Sequence, residues 1–567
     1  MRLVEVTRMS LQRTLTGAYM PSSGLRSTRV AFFSVMFAIY LTLEFALGVY
    51  IVRWDRATSV ALFGVLSVLF LGAAYGTTRE LLGLIDRPPV PSVQTLSSSP
   101  RVALLYTTMN DVVPECLASM VQDYPSDVYV LDDSTNPEAR AIVDRVSSEK
   151  AYTIERRATR RGYKAGAIND WLAKHWGSYD YIVVFDSDSY LPRDWVGQAL
   201  RYSEHPANGD IAIFQGMINI WNLDTDFAST LAPMSKMGRY VWERNLANSM
   251  DAVFCYGHNV LVRVSALKQI GGFVEGYVSE DFATAVALAQ KGWHSKFIPL
   301  QTYEAVPENV RGFIRRQNKW TRGSMEFWGF ASKPSISANK AFHLLQTPLS
   351  HIVNLMLPLG AFLTVYGFAS SPTAAGSFLI SLLRNPAGII WSVPILRLLI
   401  VWGLLGSALG AVIRYRSGVT TIEYLRHRFL SGAVSAVMIP YELKSMASYF
   451  VTGLRSIPVT PKSEKPLSLG DVMRISSYSL MFQGVLWIGL LEINPLGAVF
   501  NSTWLIPMLM SPFVLMMYNG YGRKPRSVAS EVDRAPVSAL KADPVRVHEL
   551  LSTVVSTEEP ALKPLVG

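Results

Sequence analysis

The chain is 567 residues long, 50% hydrophobic and 17% charged, with a net charge of +10 at pH 7. Its mean hydropathy of +0.22 reflects apolar residues gathered into long stretches, which excludes a disordered chain and argues against an ordinary soluble domain. Two cysteines, Cys116 and Cys255, give no disulfide framework, the histidines lack metal-ligand spacing, and the basic excess carries no nucleic-acid-binding motif, so no nucleic-acid partner is expected.

In chain order, a basic N-terminus (residues 1–29, with Arg2, Arg8, Arg13, Arg26 and Arg29) precedes two apolar stretches, 30–52 and 57–76. Each is near the ~20 residues needed to cross a bilayer, so 30–76 reads as two transmembrane helices. Residues 100–335 form the next region, in which an apolar strand-forming run argues for an α/β sheet. The clearest run is YIVVFDSD (181–188), a buried central strand that ends in Asp186 and Asp188. Ligands of such sheets lie beyond the carboxyl ends of strands. The two hard carboxylates suit Mg²⁺ or Mn²⁺, and such an ion would neutralise a diphosphate. The same three residues would also serve as a turn capping the following helix.

Further apolar stretches follow at 345–368, 389–413, 473–491 and 499–518, for about six spans in all. Residues 429–454 are nearly as apolar, but Pro440, Glu442 and Lys444 interrupt them, which predicts an interfacial helix. Residues 340–455 therefore read as two transmembrane helices plus that helix, 456–466 as a proline-rich loop, 472–519 as two more transmembrane helices, and 523–567 as a charged, flexible tail. The arginines of the N-terminus and the basic loop with Arg414, Arg416, Arg426 and His427 place the N-terminus, the α/β domain and the 456–466 loop in the cytosol, with an anionic leaflet as partner. Glu44, Asn354, Arg397 and Gln483, with Trp487 near the last, are polar or aromatic positions that either line a path or stitch helices.

The α/β region resembles the family 2 glycosyltransferases, most of all the membrane-embedded synthases of β-linked polysaccharides: cellulose, curdlan, hyaluronan and osmoregulated periplasmic glucans. The resemblance covers roughly residues 100–465. It is carried by RVALLYTTMND (101–111), VYVLDDS (128–134), RRGYKAGAIND (160–170), the Asp-Ser-Asp at 186–188, YGHNVLVRVSAL (256–267), VSEDFATAVALAQKGW (278–293) and Arg316 to Trp320. It implies a Rossmann-like α/β GT-A catalytic domain at 100–335, set in a multi-pass transmembrane domain of the plasma (inner) membrane. In that family Thr108 and Asp111 would belong to the first turn, with Asp111 standing where Glu is usual. Asp132 would contact uracil and Lys164 the nucleotide. Asp281 would be the general base, with Glu280 beside it, because inverting sugar transfer needs a base opposite the leaving diphosphate. Glu280 and Asp281 also suit a plain helix start.

The usual Gln-x-x-Arg-Trp reads here Arg316, Gln317, Asn318, Lys319, Trp320. Lys319 would meet the diphosphate as a point charge rather than as a bidentate fork, and Trp320 would be the platform for the acceptor sugar. Arg316 and the Gly-His-Asn at 257–259 resemble the periplasmic-glucan synthases. SIPVTPKSEKP (456–466) resembles the gating loop of cellulose synthase, with Thr460 and Lys462 as the nucleotide-facing residues. The resemblance implies a processive, inverting β-glycosyltransferase that uses a UDP-sugar, UDP-glucose first, to extend and translocate a β-glucan. Transfer of one sugar to a polyprenyl phosphate, and a transporter or scaffold with a degenerate transferase domain, are the alternatives. The sequence names no periplasmic or regulatory partner.

Overall fold

The protein is described by a computed structural model over residues 22–50, 52, 54–85, 91–223, 225–369, 381, 384, 385, 387, 388, 394–452, 466–493 and 509–518. Seven strands form one sheet: β1 Val102–Thr108, β2 Asp127–Asp132, β3 Thr153–Glu155, β4 Tyr181–Phe185, β5 Ile211–Ile220, β6 Val260–Arg263 and β7 His294–Glu304. Their spatial order is β3-β2-β1-β4-β6-β5-β7. β1 is parallel to β2 and β4, β2 to β3, and β5 to β7, whereas β6 runs antiparallel to both neighbours, β4 and β5. The α/β expectation therefore holds, as a mixed sheet with one reversed strand.

Successive strand residues face opposite sides, and both sides are covered. Val102, Leu104 and Tyr106 of β1 pack with Trp195, Val196 and Leu200 on one face. Ala103 and Leu105 pack with Ile168, Trp171 and Leu172 on the other. A strand buried on both faces needs no polar positions, which is why YIVVF of β4 is apolar throughout. The parallel strands β1, β2 and β4 end on one edge, at Thr108, Asp132 and Phe185. β6 runs the other way and so begins on that edge, with Val260 opposite Val184. The reversal brings residues 255–259, which precede β6, to the residues that follow β4.

Helices Ser22–Tyr50 and Ala57–Ile85 precede the sheet, and Ala338–Ala369, Pro394–Arg416, Thr421–Thr452, Leu469–Ile493 and Ser511–Met517 follow it. Among the described residues, Ser27–Val49 and Ala57–Ile85 are long and apolar enough to cross a membrane. The expected stretches 345–368 and 473–491 lie within helices, as does the described part of 389–413, and of 499–518 only 509–518 is described. Ser67 Oγ donates to Glu44 Oε2 at 2.8 Å, so Glu44 stitches the first two helices together. Arg2, Arg8, Arg13, Thr460, Lys462 and the 523–567 tail lie outside the described residues, as do the side chains of Arg26, Gln483 and Trp487.

The interrupted segment is one helix, Thr421–Thr452, that runs on through Pro440. Proline has no N–H for the carbonyl four residues back. Here Ser479 Oγ, from helix Leu469–Ile493, donates to that carbonyl, Ala436 O, at 2.8 Å. One face of the helix (Leu430, Val434, Val437) packs on Val310 and Ile314 below the sheet domain and on Val472 and Ile475. Phe429, Leu443, Phe450 and Val451 remain exposed on it.

Candidate active site

Residues from widely separated parts of the chain meet beyond the sheet edge, around a pocket of about 670 Å³. The turn after β4 presents Asp186, Ser187 and Asp188. The Asp186 N–H donates to Ser189 Oγ at 3.0 Å, which tightens that turn. The Lys164 ammonium, at the start of helix Tyr163–His175, is paired with the Asp186 carboxylate and donates to Gly257 O at 2.8 Å. Burial works against the Lys164 charge, but Asp186, with Glu280 and Asp281 adding to it, outweighs burial and holds the ammonium above its usual range. Asp188 is buried, and its Oδ2 accepts from the Ala305 N–H at 3.3 Å, so the end of β7 fixes it.

His258 joins the two halves of the site. Its Nδ1 lies 3.7 Å from Asp186 Oδ2, and its Nε2 lies 2.8 Å from Glu304 Oε2. Sequence singled out His258 only by its place in Gly-His-Asn, and Glu304, which faces it from the end of β7, carried no signal of its own.

Glu280 and Asp281 open helix Glu280–Gln290 and both line the pocket. Asp281 Oδ1 accepts from the Phe282 N–H at 2.8 Å. Desolvation by the pocket walls, with Glu280 next in effect, pushes the Asp281 carboxyl up to about 7, against the pull of Lys164 and Lys319. The loop before this helix is gripped from behind: the Val278 and Ser279 N–H groups donate to Glu326 Oε1 and Oε2 at 2.9 and 3.0 Å. Glu326 is buried and was not foreseen, since it lies 45 residues beyond Asp281 with no motif to mark it.

At the other end, Thr108 Oγ1 and the Met109 N–H donate to Asp111 Oδ1 at 3.0 and 2.8 Å, and Ser187 Oγ donates to Oδ2 at 2.8 Å. Asp111 thus ties the turn after β1 to the Asp-Ser-Asp turn, and both Thr108 and Asp111 line the pocket. Asp132, expected to contact the nucleotide, lies just behind the pocket wall. Its side chain is fully buried, with Oδ2 taken by Arg156 Nε at 2.7 Å and Oδ1 by the Ser134 N–H at 2.9 Å, and it does not line the pocket. As the last residue of β2 it points back into the domain, so the next residue, Asp133, faces the pocket, bound by Arg157 and beside Arg160.

Helix Val310–Ser324 brings Arg316, Gln317, Lys319 and Trp320 to the opposite wall. The Arg316 guanidinium lies 4.6 Å from the Trp320 ring centroid, a stacking contact between residues one turn apart. Trp320 is 52% exposed, so it still presents surface to the pocket. Thr347, Ser350 and His351 of helix Ala338–Ala369, read as a span, close the pocket floor.

Residues 181–415 match the family described as Glycosyl transferase family group 2. The chain carries a family 2 glycosyltransferase domain. That domain takes in Asp186, Asp188, Asp281 and Trp320, while β1–β3 and Lys164 precede the matched stretch. The chain is 27% identical over 308 residues to a glucans biosynthesis glucosyltransferase H of Rhodopseudomonas palustris, covering 47% of this chain and 40% of that protein. It is 30% identical over 214 residues to glucomannan 4-beta-mannosyltransferase 1 of Oryza sativa subsp. japonica, covering 35% of this chain and 40% of that protein. The chain thus spans less than half the length of these curated relatives. Among solved structures it is similar to a mannosyltransferase from Pyrobaculum calidifontis in complex with GDP-Man and Mn²⁺, at TM-score 0.43 and 18% identity, covering 60% of this chain and 96% of that one.

Proposed function

We propose that this protein is a multi-pass plasma (inner) membrane enzyme with a cytosolic GT-A domain, which transfers sugar from a UDP-sugar, most readily UDP-glucose, to a growing β-glucan with inversion. The observation that carries this reading is Asp281, a carboxyl pushed up to about 7 in the same pocket as the Lys164 and Asp186 pair. A base matched to working pH beside cationic groups is what inverting transfer requires. Asp281 takes the proton of the acceptor hydroxyl, whose oxygen bonds to the anomeric carbon as the bond to the diphosphate breaks and UDP leaves with the electron pair. Lys319 and Lys164 offset the phosphate charge, and Trp320 stacks on the acceptor sugar.

Asp186 and Asp188 provide hard oxygen donors, and no cluster of three or more His, Cys, Asp or Glu ligands occurs among the described residues. That set fits Mg²⁺ or Mn²⁺ sharing its coordination with substrate phosphates. Such an ion would supply charge neutralisation of the leaving diphosphate. Closure of the 456–466 loop through Thr460 and Lys462, six membrane spans and export of the polymer through them complete the reading.

The test is incorporation of radiolabelled sugar by purified protein in nanodiscs with Mg²⁺ or Mn²⁺, offered UDP-glucose, GDP-mannose and UDP-N-acetylglucosamine separately. A high-molecular-weight product from one donor, reduced about 10²- to 10⁴-fold in Asp281→Asn, is expected. A lipid-extractable single-sugar product would replace polymer synthesis with single transfer, and product formation unaffected by the substitution would remove Asp281 as base.

A further inference from the structure

A second cavity, of about 530 Å³, lies next to the reaction pocket, between helices Ala57–Ile85 and Ala338–Ala369 and the α/β domain. Tyr75, Trp242, Phe254 and Asn354 are among its lining residues. The two cavities share Tyr256, Phe282, Thr347 and Ser350, so they adjoin through a common wall. Part of that wall is a π-helical turn, Arg239–Arg244, that follows helix Asp226–Gly238. The wider turn gives each cavity one of two successive residues: Trp242 lines the second cavity and Glu243 the reaction pocket.

Glu243 has no place in the chemistry described above, yet it is a carboxyl at that wall. Its Oε1 receives only a long hydrogen bond, 3.5 Å, from Tyr256 Oη. Its Oε2 is sealed from solvent and has no hydrogen-bond partner among the described residues. The cation on the same turn, Arg239, donates to Ile218 O and Ser235 Oγ rather than to Glu243. Desolvation pushes the Glu243 carboxyl up to about 7, against the pull of Arg239 and with Glu304 adding to it. A sealed acceptor without a donor costs stability unless a ligand completes it. A ligand bearing many hydroxyl donors and apolar ring faces matches both the carboxyl and the neighbouring Trp242 and Tyr256 rings.

We propose that Glu243 binds the acceptor saccharide, its carboxylate turning into the pocket to accept a hydrogen bond from a sugar hydroxyl where the chain passes from the reaction pocket toward the second cavity. The proposal rests on the glycosyl-transfer reading and adds a specificity residue to it. Hydroxyl-to-carboxylate hydrogen bonds are strong, and loss of one lowers affinity about 10- to 100-fold.

The experiment titrates the full chain in nanodiscs with cellohexaose, laminarihexaose and mannohexaose, and separately with UDP, for wild type, Glu243→Gln and Glu243→Ala, alongside thermal unfolding. The expected result is binding of at least one hexasaccharide that weakens about 10- to 100-fold in both variants, with UDP affinity unchanged. Hexasaccharide affinity equal to wild type in the folded Gln variant, which keeps the shape of Glu, overturns the proposal. So does a parallel loss of UDP affinity, the sign of a merely structural role, or no hexasaccharide binding by the wild type. Glu243-dependent saccharide binding by a protein that transfers sugar from no donor would remove the transferase reading and leave the saccharide site standing.

Discussion

Asp281 is held in place by what its neighbour lacks. Gly257 has φ +82°, and a Cβ built there would lie 2.8 Å from Asp281 Oδ2. Gly257→Ala therefore combines a left-handed backbone, costing about 1–2 kcal/mol, with displacement of the carboxylate. The expected outcome is a stable, folded protein with kcat/KM lowered about 100-fold, as for misplaced reacting groups, measured by UDP release. The carboxyl must be ionised to accept a proton, and it is raised to about 7, so kcat/KM should climb with pH through about 7 rather than level off in the ordinary carboxylate range. The stability effect has the opposite sense. A raised acid favours the native state only while protonated, so its contribution falls as pH rises from the ordinary carboxylate value to about 7 and is flat above. Asp281→Asn should accordingly raise the melting temperature at about pH 8 and leave it unchanged at about pH 4. Asp186, Asp188, Asp281 and Trp320 were legible in the sequence because each sits in a short contiguous motif tied to one strand end or helix start. Glu304, Glu326 and the pocket position of Asp133 were not, since they depend on partners that only the folded sheet edge brings close.

Among the elements, helix Thr421–Thr452 shows how a helix continues through a proline. Pro440 lies inside it, and the carbonyl it frees is capped from another helix by Ser479. The helix expected over 429–454 is there, beginning earlier at Thr421, but the donor that lets it run through Pro440 was not legible because it lies 39 residues further on. Ser479→Ala should leave Ala436 O buried without a donor and lower stability by about 1–3 kcal/mol, read by denaturation in detergent. Glu442 is likewise met across the structure by Asn354 Nδ2, which donates to it at 3.5 Å, with His351 Nδ1 lying 3.4 Å away. Helix Ala57–Ile85 meets the π turn with no space to spare, since a Cβ at Gly83 would lie 2.7 Å from Val241 Cγ1 and 2.8 Å from Val241 O. Gly83→Ala should push that helix from the catalytic domain, lowering the melting temperature and disturbing saccharide binding at the adjacent wall.

Across the whole molecule, Asp251 fastens the first helix and helix Ala338–Ala369 to the sheet domain. Its carboxylate meets Arg29 of the first helix at 3.9 Å, His294 and Lys296 of β7 at 3.1 and 3.2 Å, and Lys340 of helix Ala338–Ala369 at 3.3 Å. Burial alone would raise this acid, but His294, Lys296 and Lys340 outweigh it and hold the carboxyl well below the usual carboxylate range. A depressed acid contributes stability above its unfolded value and loses it as pH falls toward the folded one. Asp251→Asn should therefore cost about 3–5 kcal/mol at neutral pH, and the difference from wild type should shrink in strong acid, measured by thermal unfolding. None of these four partners stands near Asp251 in the sequence, so this junction was invisible there although each helix was not.

The reversed strand also sets the order in which the protein can come into being. β1 to β4 pair with one another in parallel over residues 102–185, whereas β6 must slot between β4 and β5 after some 75 further residues have been made. Residues 255–259, and with them the seat of Asp281, reach the sheet edge only at that step. A nascent chain that has folded its first half thus carries the Asp-Ser-Asp turn without its base, and it gains a complete reaction centre only when synthesis has passed helix Glu280–Gln290.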